Sequence, residues 1–158
     1  MIRPANPSDV STILAFINEL AEYAHLEHAC AATEELLREN LFGAEPAAEA
    51  AMLEWEGKAV GYAIWFKTFS SFLARPGVYL EDIYVQPAFR GRGLGKSVFA
   101  HLVKIAAARG YGRIEWSVLK WNTPSIEFYQ SLGAAALDGW EVMRLDAFAI
   151  AALAKRWG

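Results

Sequence analysis

The sequence predicts a single α/β domain over residues 1–158, with a mixed central sheet of about six to seven strands flanked by helices. Two observations favour this fold class. Apolar runs with the short period of strands occupy the middle of the chain, and apolar residues at three-to-four spacing lie before and after them. A chain of 158 residues that is 54% hydrophobic is also large enough to bury the core of one domain.

The first elements are a short strand and two helices. The strand is "IR", and Ser8 or Asp9 is expected to cap a helix whose apolar stripe includes Val10 and Ile13. The segment "ATEELLRENLF" predicts a second helix, with Thr33 as its cap and acidic residues in its first turn.

The middle and the end of the chain add strands and three further helices. The stretch "AAMLEWEGKAVGYAIWFKTFS" indicates a hairpin that turns at "EGK", and "GVYLEDIYVQP" is a third long strand stopped by Pro87. A helix from Leu94 ends near Gly110 and is followed by the strand "GRIEWSVL". The remaining elements are the helix "NTPSIEFYQSLGA", capped by Asn122 or Thr123, the strand "WEVMRL" and the helix "DAFAIAALAKRW".

Composition excludes several classes of protein. A formal net charge of -3 and a pI near 5.6 give no basic field for nucleic acid. The single cysteine, Cys30, allows neither an intramolecular disulfide framework nor a thiolate metal cluster, so a reducing cytoplasm is expected. The N-terminus "MIRPANPSDV" lacks the apolar run of a signal sequence, and no apolar run in the chain is long enough for a membrane span. His25 and His28 lack an evident third ligand, and we expect no metal.

The segment "RGRGLG" stands between a strand and a helix and predicts an anion site. Glycines tolerate positive φ and let a ligand approach the backbone, while the helix start and the cationic side chains favour a phosphate. Its spacing fits neither a P-loop nor a dinucleotide-binding G-x-G-x-x-G turn. From these residues alone, a pyrophosphate cradle and an ordinary flexible turn both remain open. The residues concerned are Arg90, Gly91, Arg92, Gly93, Leu94, Gly95 and Lys96.

The segment "VYLEDIYVQPAFRGRGLGKSVFAHLVKIA" resembles the acetyl-CoA signature of the GNAT N-acetyltransferases, with Arg90, Gly93 and Gly95 at its marked positions. "EWSVLKWNTPSIEFYQSLGA" is similar to the second half of the same fold, so the resemblance spans nearly the whole chain. "IRPA", "YLED", the Asn-Pro-Phe-Tyr helix and a late "GW" resemble in particular the diamine acetyltransferases, which act on spermidine and spermine or on thialysine. The resemblance implies acetyl-CoA as co-substrate, a small primary amine as acceptor, transfer by direct attack in a ternary complex, and a homodimer.

The resemblance also implies the site residues. Glu81 would contact the amine and accept its proton, Tyr129 would protonate the leaving sulfur, and a main-chain N–H near Val85 would bind the acetyl oxygen. The other expected cofactor contacts, beside the glycine-arginine segment, are Ile83, Tyr84, Val85, Asn122, Ser125, Phe128 and Tyr129. The expected acceptor contacts are Tyr23, Glu27, Glu81, Asp82, Glu115, Trp116 and Ser117.

Each assignment has an alternative. Glu81 could instead form a structural salt bridge, and Tyr129 could pack in the core beside Phe128. The chain could be a non-catalytic acyl-CoA sensor or an acetyltransferase of protein N-termini or lysines. A sensor needs the cradle but no proton donor, so the presence of Glu81 and Tyr129 together favours an enzyme. Because Ala24 and His28 stand where the polyamine enzymes have acidic residues, short amines are expected to be better acceptors than spermine.

Overall fold

The computed structural model describes residues 1–157, which form two compact units. The first unit, Met1–Leu119, holds the sheet and three helices, and the second begins at Lys120 and contributes two helices. The strands are β1 (Ile2–Pro4), β2 (Glu49–Trp55), β3 (Lys58–Ser70), β4 (Arg75–Val85) and β5 (Ile114–Trp116). The helices are α1 (Val10–Ala24), α2 (Glu34–Phe42), α3 (Leu94–Ala108), α4 (Thr123–Ser131) and α5 (Ala147–Trp157).

The sheet is mixed, as the sequence predicts. Its strands lie in the order β1-β2-β3-β4-β5, with antiparallel neighbours from β1 to β4 and a parallel pair between β4 and β5. The hairpin at "EGK" is confirmed, and Glu56 and Gly57 both have positive φ, which matches the twist of a two-residue hairpin turn. The described residues contain five strands, fewer than the six to seven expected.

The prediction of a last strand at "WEVMRL" is wrong. Residues 140–146 have no strand or helix, and the strand predicted at "GRIEWSVL" is formed only over Ile114–Trp116. Alternating apolar residues form a strand only where a neighbouring strand supplies backbone partners, and here Val142 and Met143 are exposed. The sequence pattern shows the apolar residues but not whether such a partner is available.

Helices cover both faces of the sheet in the first unit. Phe16 of α1 stacks on Tyr62 of β3, in a cluster that also contains Ile13, Met52 and Tyr84. Side chains of β3 alternate between faces, so Trp65 lies on the opposite side, where its ring contacts His101 of α3. The core therefore has two layers, and β4 passes between them towards the start of α3.

The N-cap residues predicted from the sequence are found at one of the first two helices. The side chain of Thr33 accepts from Leu36 N–H, so the predicted cap of α2 is confirmed. At α1 a short 3₁₀ turn, Pro7–Asp9, is capped instead by Asn6. Asp9 makes no cap bond to α1, because its carboxylate accepts two hydrogen bonds from Arg3, both 2.8 Å long. None of the helices in residues 1–157 combines the length and apolar character needed to cross a membrane.

Candidate active site

β4 contains a bulge at Glu81. In the pairing with β3, Asp82 is opposite Ile64 and Leu80 is opposite Trp65, so Glu81 has no opposite residue. A bulge changes which edge and face the following residues present. Glu81 therefore lies within β4, four residues before its end.

β4 has an open edge on the side away from β3. The neighbouring strand β5 pairs only with Val78–Leu80, so in the described part of the chain no strand lies against that edge of β4 beyond Leu80. Gln86 N–H donates to Val60 O at 2.9 Å and so points towards β3. Successive N–H groups of a strand point to opposite edges, which directs Val85 N–H to the open edge. An extended ligand arm could add there as a pseudo-strand.

The glycine-arginine segment follows β4 at the start of α3. Gly91 has φ 74° and Gly93 has φ 82°, and a Cβ built at either residue meets nothing within 4 Å. The first helical hydrogen bond runs from Ser97 N–H to Gly93 O, so α3 supplies no acceptor for the N–H groups of residues 94–96. Arg92 and Lys96 are exposed, whereas Leu94 is buried and only its main chain is available. Open space, unpaired helix N–H groups and two cations together fit a diphosphate.

Glu81 and Asp82 have different environments. Glu81 is exposed and forms no ion pair within residues 1–157, which does not favour the structural salt-bridge alternative. Asp82 accepts a hydrogen bond of 2.9 Å from the hydroxyl of Tyr62. The Tyr62 side chain is fully buried. Burial raises the pKa of Asp82, the bond from Tyr62 opposes that rise, and the neighbouring Glu81 adds to it. Glu81 is therefore the more accessible carboxylate.

Of the two acceptor residues predicted on α1 and just after it, one lines a cavity. Tyr23 is partly exposed near the end of α1, and Glu27 belongs to a short 3₁₀ turn after the helix. Glu27 lines a cavity of ≈ 320 Å³ together with Asn18, Ala21, Glu22 and Cys30. Sequence reasoning missed Glu22, although two carboxylates in one cavity suit a cationic ligand.

The residues predicted on β5 all have partners within the first unit. Glu115 forms an ion pair with Arg113 at 2.7 Å, and Ser117 Oγ lies 2.6 Å from the Tyr79 hydroxyl. The Trp116 ring meets Phe99 edge to face, with centroids 4.8 Å apart. Their role in binding an acceptor stays a prediction.

The remaining predicted residues lie in the second unit. Asn122 occupies the N-cap position of α4 as predicted, but its side chain makes no capping hydrogen bond, and Pro124 lies in the first turn. Tyr129 is half-buried on α4, and its ring contacts that of Phe128 with centroids 5.4 Å apart. Burial raises the pKa of the Tyr129 phenol, so it stays protonated through the neutral range, as a proton donor must.

Tyr84 and its partners form a network that the sequence did not predict. The Tyr84 hydroxyl donates to Glu19 Oε2 at 2.7 Å, and the side-chain amide of Gln86 lies 3.3 Å from both Glu19 oxygens. Burial, followed by the bond to Glu19, raises the pKa of Tyr84 to about 12. The Tyr84 side chain is thus occupied in the core, and only its main chain is available to a cofactor. The sequence offered one indication of this network: Glu19 is four residues before the predicted acceptor residue Tyr23 and so lies on the same face of α1.

In the described residues, no three His, Cys, Asp or Glu side chains are grouped to hold a metal ion.

The model of the acetyltransferase (GNAT) family matches residues 14–134, and the chain belongs to this family. Acetyltransferases of this family use acetyl-CoA as the acetyl donor. The chain is 35% identical to a thialysine N-epsilon-acetyltransferase of Bos taurus, over 98% of this chain and 96% of that protein. It is 29% identical to an L-ornithine N5-acetyltransferase of Arabidopsis thaliana, over 98% of this chain and 87% of that protein. A solved integron cassette protein from the mobile metagenome of V. cholerae has the same fold, with a TM-score of 0.80, 24% identity and coverage of 98% and 97%. The protein is therefore an N-acetyltransferase.

Proposed function

We propose that the protein transfers the acetyl group of acetyl-CoA to a primary amine of a small basic molecule, by direct attack in a ternary complex. The observation that carries the proposal is the continuity of the open β4 edge with the cradle at the start of α3. Val85 N–H points to that edge, and the cradle begins five residues later at Arg90. One continuous stretch can therefore bind an extended arm and its diphosphate.

The groups that would hold acetyl-CoA are mostly main-chain atoms. Ile83 would pair with the pantetheine arm along the β4 edge, Val85 N–H would meet the acetyl end of the same arm, and residues 91–96 would bind the diphosphate. Asn122, Ser125 and Phe128 of α4 stay proposed contacts of the cofactor. When bound, acetyl-CoA supplies a thioester carbonyl that an amine can attack.

Three groups of the chain would carry the chemistry. Glu81 receives the proton of the amine, directly or through water, because an alkylammonium with a pKa near ~10.4 cannot attack. Val85 N–H donates a hydrogen bond to the carbonyl oxygen as negative charge develops there. Tyr129 would give its phenolic proton to the departing sulfur, and the second proton, which the attacking nitrogen loses as the amide forms, would restore the phenol.

The acceptor is proposed to be a basic amino acid or short diamine. The two relatives named above act on thialysine and on ornithine, each of which ends in a primary amine. Glu22 and Glu27 in the cavity beside α1 support a cationic acceptor. Ala24 and His28 provide no negative charge where the polyamine enzymes have acidic residues, so spermine is proposed to be a poorer acceptor.

We also propose one N-acetyltransferase domain over residues 1–158 and a homodimer. The family match crosses the boundary between the two units, which supports a single domain. Residues 137–150 expose a large apolar surface, which a second copy of the chain would cover. Its most exposed side chains are Leu137, Trp140, Val142, Met143 and Phe148. A cytoplasmic location, without nucleic-acid or membrane partners, remains a prediction.

The test of the proposed function is an acceptor panel. Purified protein with acetyl-CoA is offered thialysine, ornithine, lysine, short diamines, spermine and a lysine-containing peptide, and release of CoA thiol is measured. We expect kcat/KM to be highest for a basic amino acid or short diamine. Tight CoA binding without turnover of any amine would instead identify a sensor, and a preference for the peptide would identify a protein acetyltransferase.

The cradle gives a separate prediction, Gly93→Ala. A Cβ at φ 82° disfavours the bound backbone conformation and intrudes into the open space proposed for the diphosphate, so the Kd for acetyl-CoA is expected to rise about tenfold or more. Isothermal titration calorimetry measures it.

Gly57→Ala is the matched control for Gly93→Ala. Gly57 has φ 76° and equally open surroundings, but it lies in the β2–β3 hairpin. Both variants carry a similar conformational cost of about 1–2 kcal/mol. Equal Kd values for acetyl-CoA in the two variants would contradict the cradle.

A further inference from the structure

The side chain of Arg90 is turned towards the end of β4 and α1. Its Nε donates to Val85 O at 2.9 Å, and its guanidinium carbon lies 4.7 Å from the ring centroid of Tyr23 and 5.9 Å from that of Tyr84. A guanidinium over an aromatic ring is attracted to the negative face of the ring. Arg90 therefore connects the last residue of β4 to a residue near the end of α1.

A second connection joins the same two elements. Glu19, one turn before Tyr23 on α1, accepts hydrogen bonds from the Tyr84 hydroxyl and from the Gln86 side chain. Gln86 N–H is in turn bonded to Val60 O of β3. The residues on both sides of Val85 are thus held by α1 and β3, and Arg90 holds Val85 itself.

Strand geometry places the Arg90 guanidinium on the open edge of β4. The N–H and C=O of one residue in a strand point to the same edge, so Val85 O faces the open edge together with Val85 N–H. A cation bonded to Val85 O consequently lies on the side where the acetyl oxygen is proposed to bind. It fixes the direction of the N–H donor and adds positive charge beside it.

Arg92, two residues along, has different contacts. Its guanidinium carbon lies 4.9 Å from the ring centroid of Trp55 and 5.5 Å from that of Phe89, and its side chain donates to Ala88 O at 3.4 Å. These contacts are with the last residue of β2 and with the turn before α3. The two arginines of "RGRGLG" therefore have different partners in the structure.

We infer that Arg90 is a positioning residue for acetyl transfer and that Arg92 is the cation that binds the diphosphate. Arg90 holds Val85, whose N–H is the oxyanion donor, and it holds Tyr23 on the acceptor side. The inference rests on the proposed function and replaces the sequence-based expectation that Arg90 binds the cofactor. Arg90 is therefore expected to affect kcat and kcat/KM for the amine and to have little effect on the Kd for CoA.

The experiment compares Arg90→Gln with Arg92→Gln. Arg90→Gln keeps a donor for Val85 O but removes the charge and the stacking on Tyr23. We expect its kcat/KM for the amine to fall about tenfold or more, mainly through kcat, while the Kd for CoA measured by calorimetry changes by less than about threefold. Arg92→Gln should give the opposite pattern, a raised Kd for CoA with a smaller change in kcat at saturation.

Two further variants separate positioning from general stability. Arg90→Lys retains the charge and should recover part of the lost kcat. Tyr23→Leu should also lower kcat/KM for the amine, and combining it with Arg90→Gln should lower kcat/KM by less than the product of the single effects. Melting temperatures identify a variant that fails to fold, and in that case Arg90→Lys is compared with Arg92→Lys in the same two measurements.

The outcomes distinguish the inference from the function on which it rests. A rise in the Kd for CoA that matches the loss of kcat/KM in the Arg90 variant would make Arg90 a diphosphate ligand and overturn the inference. Independent, multiplicative effects of Arg90→Gln and Tyr23→Leu would overturn it as well. Wild-type protein that binds no CoA or acetylates no amine would overturn the proposed function, and the inference with it.

Discussion

Tyr129→Phe is expected to lower kcat by about 10²-fold or more and to leave the Kd for acetyl-CoA nearly unchanged. The variant removes one hydroxyl while the ring keeps its contact with Phe128. If Tyr129 protonates the departing sulfur, the loss appears only as the C–S bond breaks, so it reduces kcat and not the affinity for the ground state. Steady-state kinetics at saturating amine and calorimetric titration with CoA measure the two quantities.

The pH dependence of the wild-type enzyme adds a second readout. A donor acts in its protonated form, so activity that depends on Tyr129 is lost as the pH rises through its pKa. Burial raises that pKa above the ordinary value for tyrosine of about 10, so the alkaline decrease due to Tyr129 is expected only above pH ~10. Tyr129→Phe should remove this decrease together with most of the rate.

Tyr111→Phe serves as the control for Tyr129→Phe. Tyr111 is a partly buried tyrosine beside Arg109 at the end of α3, outside the proposed site. Its loss should leave kcat within about twofold of wild type, as expected of a substitution away from the reacting atoms. If turnover of Tyr129→Phe matched that of Tyr111→Phe, Tyr129 would be a packing residue and the proton would come from elsewhere.

The sequence predicted those parts of the site that depend on local conformation. Glycines with positive φ before an amphipathic helix require only neighbouring residues, and Gly91, Gly93 and α3 are found as expected. The hairpin at Gly57 and the cap at Thr33 are of the same kind. Such features follow from the backbone preferences of a few adjacent residues.

Features that depend on distant pairing could not be read from the sequence. The bulge at Glu81 exists because the register between β3 and β4 shifts at this point. The Tyr62–Asp82 hydrogen bond joins residues 20 positions apart. The contact of Arg90 with Tyr23 depends on how α1 packs against the end of β4. Charge alone does not distinguish Arg90 from Arg92, and their different partners follow from tertiary packing.

Glu81→Gln is expected to lower kcat by about 10²-fold or more for every amine, because the amide is nearly the same size but cannot accept the proton of an ammonium group. Asp82 cannot replace it, since that residue is only partly exposed and its carboxylate accepts a hydrogen bond from the Tyr62 hydroxyl. In the wild type, kcat/KM should rise with pH as more of the amine becomes neutral. In the variant this rise should persist with a reduced rate, because the amine then has to lose its proton to solvent.

Glu45→Gln is the control for the loss of one negative charge. Glu45 is exposed in the loop between α2 and β2, so this variant changes the net charge by the same amount without touching the site. We expect its kinetics to be unchanged, apart from small, salt-sensitive shifts in KM.

Paired acceptors test whether Glu81 also recognises charge. A linear diamine and the amino alcohol of equal chain length have the same reach but differ by one positive charge. A carboxylate near the reacting nitrogen attracts the dication more strongly, so Glu81→Gln should raise the KM of the diamine more than that of the amino alcohol, and the difference should shrink in high salt. If the two KM values rise equally while kcat falls, Glu81 acts as the base and the second charge is bound elsewhere, with Glu22 and Glu27 of the α1 cavity as the next residues to substitute. If neither KM nor kcat changes, the amine does not meet Glu81 at all, and the acceptor site assigned to the bulge of β4 is wrong.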